Sequence, residues 1–360
     1  VSTSSGERPD LSVVIPSYNS AEWLPSTLEA CAVALEATNW SAEVVVVDDG
    51  STDGTASLVR EMARQFPVAL RVVEQQNEGR FLARWAGLNE VRGDRVLLLD
   101  SRVLLEPGSL AHVEETVAAA PAATVWNAHC ITDPAAPLVG HFWEVITYSF
   151  WGGYLRDPRP VEIRAENYNR FPKGTTAFLA PRDVLLQACR AAWPTGDAAL
   201  ASDDTKVLRH IAARLPIRLD PGFRAIYRPR GNVRAFVRHS FARGTSLVDS
   251  FAGNSAAWNT ALLVLALAPP VLLVVLAVLL AVPAWTALTV LVAAGLLALA
   301  SPAGLAARNG CPARGLRSYL TYVPVFAVPY WAGMARGLFV HGRQLRTTQR
   351  HTSAQPRTVS

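Results

Sequence analysis

The chain has 360 residues, half of them hydrophobic, and a formal net charge of +5. That modest charge, with no basic patch interleaved with aromatics in the first half, excludes nucleic acid as the partner. Roughly two domains fit this length, and the absence of any Lys or Arg between Arg243 and Arg308 separates a soluble-type first part from a membrane-type last part.

The four cysteines, Cys31, Cys130, Cys189 and Cys311, are far apart with no CxxC or Cys/His spacing. A zinc site and a disulfide framework are therefore not expected, and each reads as a small buried hydrophobe or inert thiol. Val1–Asp10 is Ser/Thr-rich without an apolar core, which predicts a tail over 1–10 and no signal peptide. Leu11–Ile15 reads as a strand. Pro16, Ser17, Tyr18 and Asn19 follow, then Leu24, Leu28, Cys31 and Leu35 at helical spacing, with Asn19 or Ser20 as the cap.

Val44–Val47 is a run of four β-branched residues, suited to a strand buried on both faces of a parallel sheet. It stops at Asp48 and Asp49, and Gly50, Ser51 and Asp53 supply turn chemistry and a helix N-cap. Ligands of open α/β sheets sit at the carboxyl ends of strands, so these carboxylates stand where a small polar ligand is read. The plainer alternative is a pair of solvated turn aspartates. A helix with Leu58, Val59, Met62, Ala63 and Phe66 on one face leads to a strand at Ala69–Glu74. No GxGxxG joins strand to helix, which argues against a dinucleotide.

Asn77–Gly87 reads as a Gly-opened helix carrying Arg80 and Arg84. Arg95–Leu99 reads as a strand ending in Asp100-Ser101-Arg102, and Pro107, Gly108 and Ser109 open another helix.

Four segments in order resemble the family-2 glycosyltransferases with the GT-A fold. They are Ser12–Asn19 (SVVIPSYN), Val47–Thr55 (VDDGSTDGT), Asn77–Arg84 (N-x-G-x-x-x-A-R) and Leu97–Asp100 (LLLD). The resemblance implies an α/β, Rossmann-like nucleotide-sugar-binding domain in which Pro16, Tyr18, Asp48 or Asp49, and Arg84 line the donor pocket. Carboxylates accept hydrogen bonds from base and ribose, and an arginine fork suits a diphosphate. Members usually carry Asp-x-Asp where this chain has Asp100-Ser101-Arg102. A divalent metal, Mn²⁺ or Mg²⁺, is still expected on Asp100, with Arg102 as an alternative neutraliser of leaving-group charge.

Further on, Ala123–Ile131 reads as a strand. His141–Tyr154 is dense in aromatics, fitting either an acceptor platform or plain packing. Phe171–Ala180 reads as a Gly-containing loop feeding a strand, which in similar enzymes borders the acceptor cleft. Ser202-Asp203-Asp204-Thr205 opens a helix with Val207, Leu208 and Ile211 on one face. Acidic residues in a first turn are ordinary capping. The resemblance instead makes Asp204 the general base and Asp203 its acidic neighbour, since an attacking hydroxyl must lose its proton.

Arg228, Arg230, Arg234, Arg238 and Arg243 alternate with apolar residues, the pattern of a basic amphipathic helix on an anionic leaflet. The resemblance adds a diphosphate-binding role for Arg238 or Arg243. Ala261–Val282 and Ala284–Ala300 have near-spanning length, with Pro283 and Trp285 at the turn between them. Pro269 and Pro270 are expected to kink the first span. Arg308, Arg314 and Arg317 return the chain to the cytoplasmic side. Tyr319–Val340 contains Pro324, Pro329 and Arg336 and has basic flanks including Arg343, Arg346 and Arg350, favouring a re-entrant or interfacial helix over a third span.

The expected organisation is a GT-A domain over 11–228, basic interfacial helices over 229–258, a transmembrane hairpin over 259–305, and a loop, third apolar segment and cytoplasmic tail over 306–360. The expected activity is inverting transfer of a sugar from a nucleotide-sugar donor to a lipid-linked or glycan acceptor in cell-envelope synthesis. The catalytic domain would face the cytoplasm at the inner membrane, among membrane lipids. Transfer to polyprenyl phosphate itself, needing no base, is a variant. A catalytically silent nucleotide-sugar-binding scaffold is the rival class.

Overall fold

The structure, a computed structural model, describes residues 8–194, 204–253, 255–282 and 284–342. Asp203, Pro283, Arg343, Arg346 and Arg350 lie outside the described residues.

The first part builds a nine-stranded sheet. Strands β1 (Leu11–Ser17), β2 (Ala42–Asp49), β3 (Ala69–Gln75) and β4 (Arg95–Leu99) pair in parallel in the order β3-β2-β1-β4. Helices α1 (Leu24–Glu36), α2 (Thr55–Met62) and α3 (Arg80–Glu90) make the crossovers. The unbroken apolar runs are explained by burial on both faces. Val13, Ile15, Val44 and Val46 join one core with Leu24, Leu28 and Cys31 of α1 and Val59 of α2. Val14, Val45 and Val47 join the other with Phe81 and Leu88 of α3. A side chain at Gly87 would collide with Val14 and crowd Val47 at 3.1 Å, so α3 sits close on β1 and β2.

Beyond β4 the sheet turns mixed. Strand β8 (Ala177–Pro181) runs antiparallel to β4, and β6 (Trp126–Thr132) antiparallel to β8. Strand β9 (Ile217–Tyr227) pairs parallel with β6 and antiparallel with the short β5 (Val103–Leu105) and β7 (Val161–Ile163). Helices α4 (Ser109–Ala119), α5 (Phe142–Leu155), α6 (Arg182–Ala191) and α7 (Thr205–Ala212) complete this part. Strand β9 is missing from the sequence expectation because Asp220-Pro221-Gly222 reads as a turn. The structure absorbs it in an irregularity, where Ala128 pairs with Asp220 but His129 with Arg224. Asp220 closes that excursion by accepting from Gly222 N at 2.9 Å and Arg218 Nη2 at 2.8 Å.

Several local expectations shift. Helix α1 starts at Leu24, beyond Asn19 and Ser20, because Asn19 takes a left-handed φ of 47° and Ser20 O accepts from Trp23 N at 2.9 Å. Ser109 is the first residue of α4 and Gly108 precedes it as the cap. Cys130 is exposed, whereas Cys31, Cys189 and Cys311 are buried.

Two compact units divide the chain, and they do not follow its order. The first runs to Phe236 and takes in Ala300–Tyr322; the second comprises Val237–Leu299 and the described residues from Val323 onward. Within the first unit, Asn309 Nδ2 donates to Tyr148 O at 2.9 Å, Arg314 donates to Pro134 O at 2.7 Å, and Phe142 stacks on Tyr319 at 5.3 Å. Phe142 and Tyr154 of the aromatic stretch are core residues, while Phe150 stands 74% exposed.

The C-terminal helices are α8 (Val233–Phe251), α9 (Ala256–Ala281), α10 (Trp285–Arg308) and α11 (Ala313–His341). The last three are long and apolar enough to cross a membrane. Helix α9 is continuous through Pro269 and Pro270, and α11 through Pro324 and Pro329. Inside the second unit α8 meets α11 backbone to backbone. A Cβ on Gly244 would strike Tyr330 O, and one on Gly333 would strike Phe241 O. Thr245 Oγ1 donates to Gly333 O at 3.0 Å. Small residues at such crossings allow close approach where lipid removes the hydrophobic driving force.

Candidate active site

Asp48 and Asp49 are both buried at the end of β2, yet they do different things. The Asp49 carboxylate accepts from Gln75 Nε2 at 2.8 Å, Glu78 N at 2.9 Å and Gly79 N at 2.9 Å. It therefore fixes the β3–α3 turn, where Gly79 takes a φ of +91° that favours glycine. Among the described residues, Asp48 accepts one bond, from Ser51 N at 3.1 Å. Asn19 N donates to Ser51 Oγ at 2.8 Å, and Asp53 Oδ2 accepts from Ala21 N at 2.9 Å, lacing the β1 and β2 turns together. Burial raises the Asp53 pKa, but bonds from Thr55 and Ala21 outweigh it and hold the carboxyl below its usual range. Tyr18, 52% exposed, stands on the rim, and Pro16 is buried in β1 opposite Val47.

Helix α3 presents Arg84 to the end of β4. Arg84 Nη2 donates to Asp100 Oδ1 at 2.7 Å, with side chains 4% and 20% exposed. Arg84 also reaches Thr175 O at 3.3 Å, and Asp100 N donates to Thr176 O at 2.8 Å. The Gly174–Thr176 stretch before β8 thus covers the pair. Asp204 borders the same stretch, since a Cβ on Gly174 would stand 3.9 Å from Asp204 Oδ2. Asp204 precedes α7 and accepts from Thr205 Oγ1 at 3.0 Å, without capping the helix by a side-chain bond. Asp48, Arg84, Asp100 and Asp204 are therefore gathered by β2, α3, β4 and α7 around one edge of the sheet.

Arg102 goes elsewhere. Its guanidinium lies 4.2 Å over the Trp23 ring at the start of α1. Burial lowers its pKa, opposed by Tyr227 and Glu22. Arg228 locks this corner: its backbone N donates to Arg102 O at 2.9 Å and its Nη2 to Trp23 O at 2.8 Å. The leaving-group role expected for Arg102 does not follow from that placement, because the indole face holds the guanidinium against α1. Arg238 and Arg243 are exposed on α8 and belong to the second unit, with Arg243 Nε donating to His239 Nε2 at 3.3 Å.

Three residues next to Asp204 escaped the sequence reading. Lys173 precedes Gly174, Arg209 lies on α7, and both cations sit on the Tyr168 ring, at 4.0 and 5.4 Å. The usable signal was a lysine beside the glycine of the loop that feeds β8.

No group of three or more His, Cys, Asp or Glu side chains among the described residues could hold a metal. Asp100 still offers the oxygen that Arg84 leaves open. Mg²⁺ and Mn²⁺ commonly use one or two carboxylates plus substrate phosphates, so the residues present fit a cation shared with a diphosphate.

A parallel β3-β2-β1-β4 half-sheet with carboxylates at its strand ends, extended by mixed strands and followed by apolar helices, is a GT-A-type architecture. Residues 12–181, a little under half of the chain, match the family model described as Glycosyl transferase family 2. An undecaprenyl-phosphate 4-deoxy-4-formamido-L-arabinose transferase from Serratia proteamaculans is 39% identical over 92 residues, 25% of this chain and 28% of the relative. A relative of the same name from Edwardsiella ictaluri is 35% identical over 106 residues, 29% and 33% of the two chains. The chain thus spans no more than 33% of the length of either relative. A mannosyltransferase from Pyrobaculum calidifontis, solved with GDP-Man and Mn²⁺, shares the fold at TM-score 0.50 and 20% identity, covering 95% of this chain and 88% of that one.

Proposed function

We propose that this protein is a membrane-anchored, inverting glycosyltransferase that moves a sugar from a nucleotide-sugar donor to a lipid-linked acceptor. The observation that carries the reading is the buried Arg84–Asp100 pair, flanked by Asp48 on one side and by Asp204 across Gly174 on the other. Asp48 accepts from the donor's base or ribose, with Tyr18 at the rim. Arg84 orients Asp100 and supplies positive charge beside the leaving diphosphate. Asp100 would hold Mg²⁺ or Mn²⁺, and such a cation would neutralise charge on that leaving group.

The acceptor enters from the Asp204 side. An acceptor oxygen bonds to the anomeric carbon as the bond to the diphosphate oxygen breaks, and the leaving electron pair stays on the phosphate. A hydroxyl nucleophile gives its proton to Asp204. Asp203, its neighbour in sequence, supplies further negative charge. Arg238 and Arg243 serve the membrane surface, as the basic face of α8.

A phosphate nucleophile is the second reading. The relatives named as undecaprenyl-phosphate transferases favour it, and it needs no base. The three apolar helices support membrane association; the arginines at 308, 314 and 317 favour the inner membrane, with the catalytic domain facing the cytoplasm.

The test is turnover of a sugar-nucleotide panel by the purified full chain in detergent, with a native lipid extract, with and without Mn²⁺ or EDTA. Lipid-dependent consumption of one donor supports the reading. Nucleotide binding without turnover in any lipid moves the protein to a scaffold. Asp204→Asn separates the nucleophiles, because loss of a general base costs about 10²–10⁴-fold in rate for a hydroxyl and little for a phosphate.

A further inference from the structure

We propose that Lys173 and Arg209, gathered on the face of Tyr168 beside Asp204, form an anion seat that takes the phosphate group of the acceptor lipid. The inference rests on the phosphate reading above and names the residues that would read that phosphate.

Each part of the seat is held independently. Tyr168 is buried, and its hydroxyl donates to Thr205 O at 3.0 Å, fixing the ring against the residue that follows Asp204. Trp151 Nε1 donates to Asn169 O at 3.1 Å, and Gly174 N donates to Asn127 Oδ1 at 3.0 Å. On this frame the Lys173 ammonium lies 4.0 Å from the Tyr168 centroid and 5.8 Å from that of Trp151, and it donates to Phe171 O at 3.0 Å. Arg209 lies 5.4 Å from the Tyr168 centroid. Among the described residues, the close partners of both cations are ring faces and a carbonyl oxygen, none of them a full negative charge.

Among the described residues, two cations therefore share one half-buried corner with Asp204 as the nearby carboxylate. Burial and the like charge of Arg209 push Lys173 down to about 8, while Asp204 pulls the other way. Repulsion of this kind is relieved by an anion placed between the cations. The donor diphosphate is the weaker candidate, because the carboxylate on its side, Asp100, is already matched by Arg84 at 2.7 Å. A phosphate monoester oxygen is largely deprotonated at neutral pH. Held at Lys173 and Arg209, it attacks the anomeric carbon without giving up a proton, and the displaced electron pair leaves on the nucleoside diphosphate.

The experiment uses the full chain in detergent, the donor found in the panel, and polyprenyl phosphate or polyprenol as acceptor. Lys173→Met and Arg209→Gln should each raise KM for polyprenyl phosphate on the order of tenfold or more, the scale of truncating one partner of a buried charge pair. Lys173→Arg should restore it, and nucleoside diphosphate affinity should stay at the wild-type value. With wild type, KM should climb above about pH 8 as Lys173 loses its proton, and Lys173→Arg should abolish that climb. Among the described residues, the charged and titratable groups facing Lys173 are Asp204, Arg209 and Tyr168; burial, then Asp204, pushes the Tyr168 phenol up, away from this window.

An unchanged KM in Lys173→Met overturns the proposal, as does transfer to polyprenol in preference to its phosphate. Weakened nucleoside diphosphate binding would instead assign the cations to the donor. Wild-type protein that consumes no donor with any lipid rejects the glycosyltransferase reading itself, whereas wild-type transfer that Lys173→Met matches rejects only the seat.

Discussion

Replacing Asp49 with Asn tests whether the two aspartates at the end of β2 divide the work. The carboxylate accepts three bonds at 2.8–2.9 Å, two of them from backbone N–H groups of the β3–α3 turn. Neutralising it roughly halves charge-assisted bonds, each worth about 1.5–3 kcal/mol. An asparagine can also point only one oxygen, so its amide N–H would face a turn N–H and leave a buried donor unmatched, adding about 1–3 kcal/mol. With two bonds halved and the third donor orphaned the sum is about 2.5–6 kcal/mol, which for a domain of this size lowers Tm by roughly 5–24 °C. Asp48→Asn weakens one turn bond, at 3.1 Å, and should cost about 1 kcal/mol while weakening nucleotide binding. Tm by tryptophan fluorescence in detergent and nucleoside diphosphate affinity by calorimetry measure the two effects. An Asp49→Asn protein with wild-type Tm and a binding defect equal to that of Asp48→Asn would refute this division.

Other perturbations probe the rest of the molecule. Asp100→Asn should abolish any tightening of nucleoside diphosphate binding by Mn²⁺ over EDTA, read by calorimetry, because Asp100 is the carboxylate left open to a cation beside Arg84. Arg228→Met should lower Tm by several degrees, since its guanidinium joins Trp23, Thr27 and the Arg102 backbone; unchanged Tm would mean that corner is not structural. Gly333→Val should disrupt the second unit, because the added side chain would meet the Phe241 backbone. Loss of folded protein on size-exclusion chromatography in detergent measures it, with exposed Leu297→Val as the control.

Much of the framework was legible in the chain. The β-branched run before Asp48, the Gly-opened helix bearing Arg84 and the strand ending at Asp100 are local features. Pleat, helical period and turn chemistry act over a few residues, so sequence alone determined those elements and the sheet edge their polar ends would share. The apolar windows around α9 and α10 were equally plain, since bilayer thickness fixes a length that hydropathy reveals.

What tertiary structure alone decided were partnerships between distant residues. Asp48 and Asp49 look alike in sequence; the β3–α3 turn takes the second for itself. Arg102 looked like a substitute cation until Trp23 and Arg228 claimed it. Strand β9 stayed hidden behind Asp220-Pro221-Gly222, a turn signal that pairing with β6 overrides by looping those residues out. The Ala300–Tyr322 segment joins the first unit through bonds to α5 and its preceding loop that no periodicity announces. Lys173 and Arg209 meet on Tyr168 only because α7 packs against the Ala165–Arg170 turn that carries that ring. In each case the deciding energy is a long-range contact, set by which elements the closed sheet brings together, and composition along the chain carries no record of it.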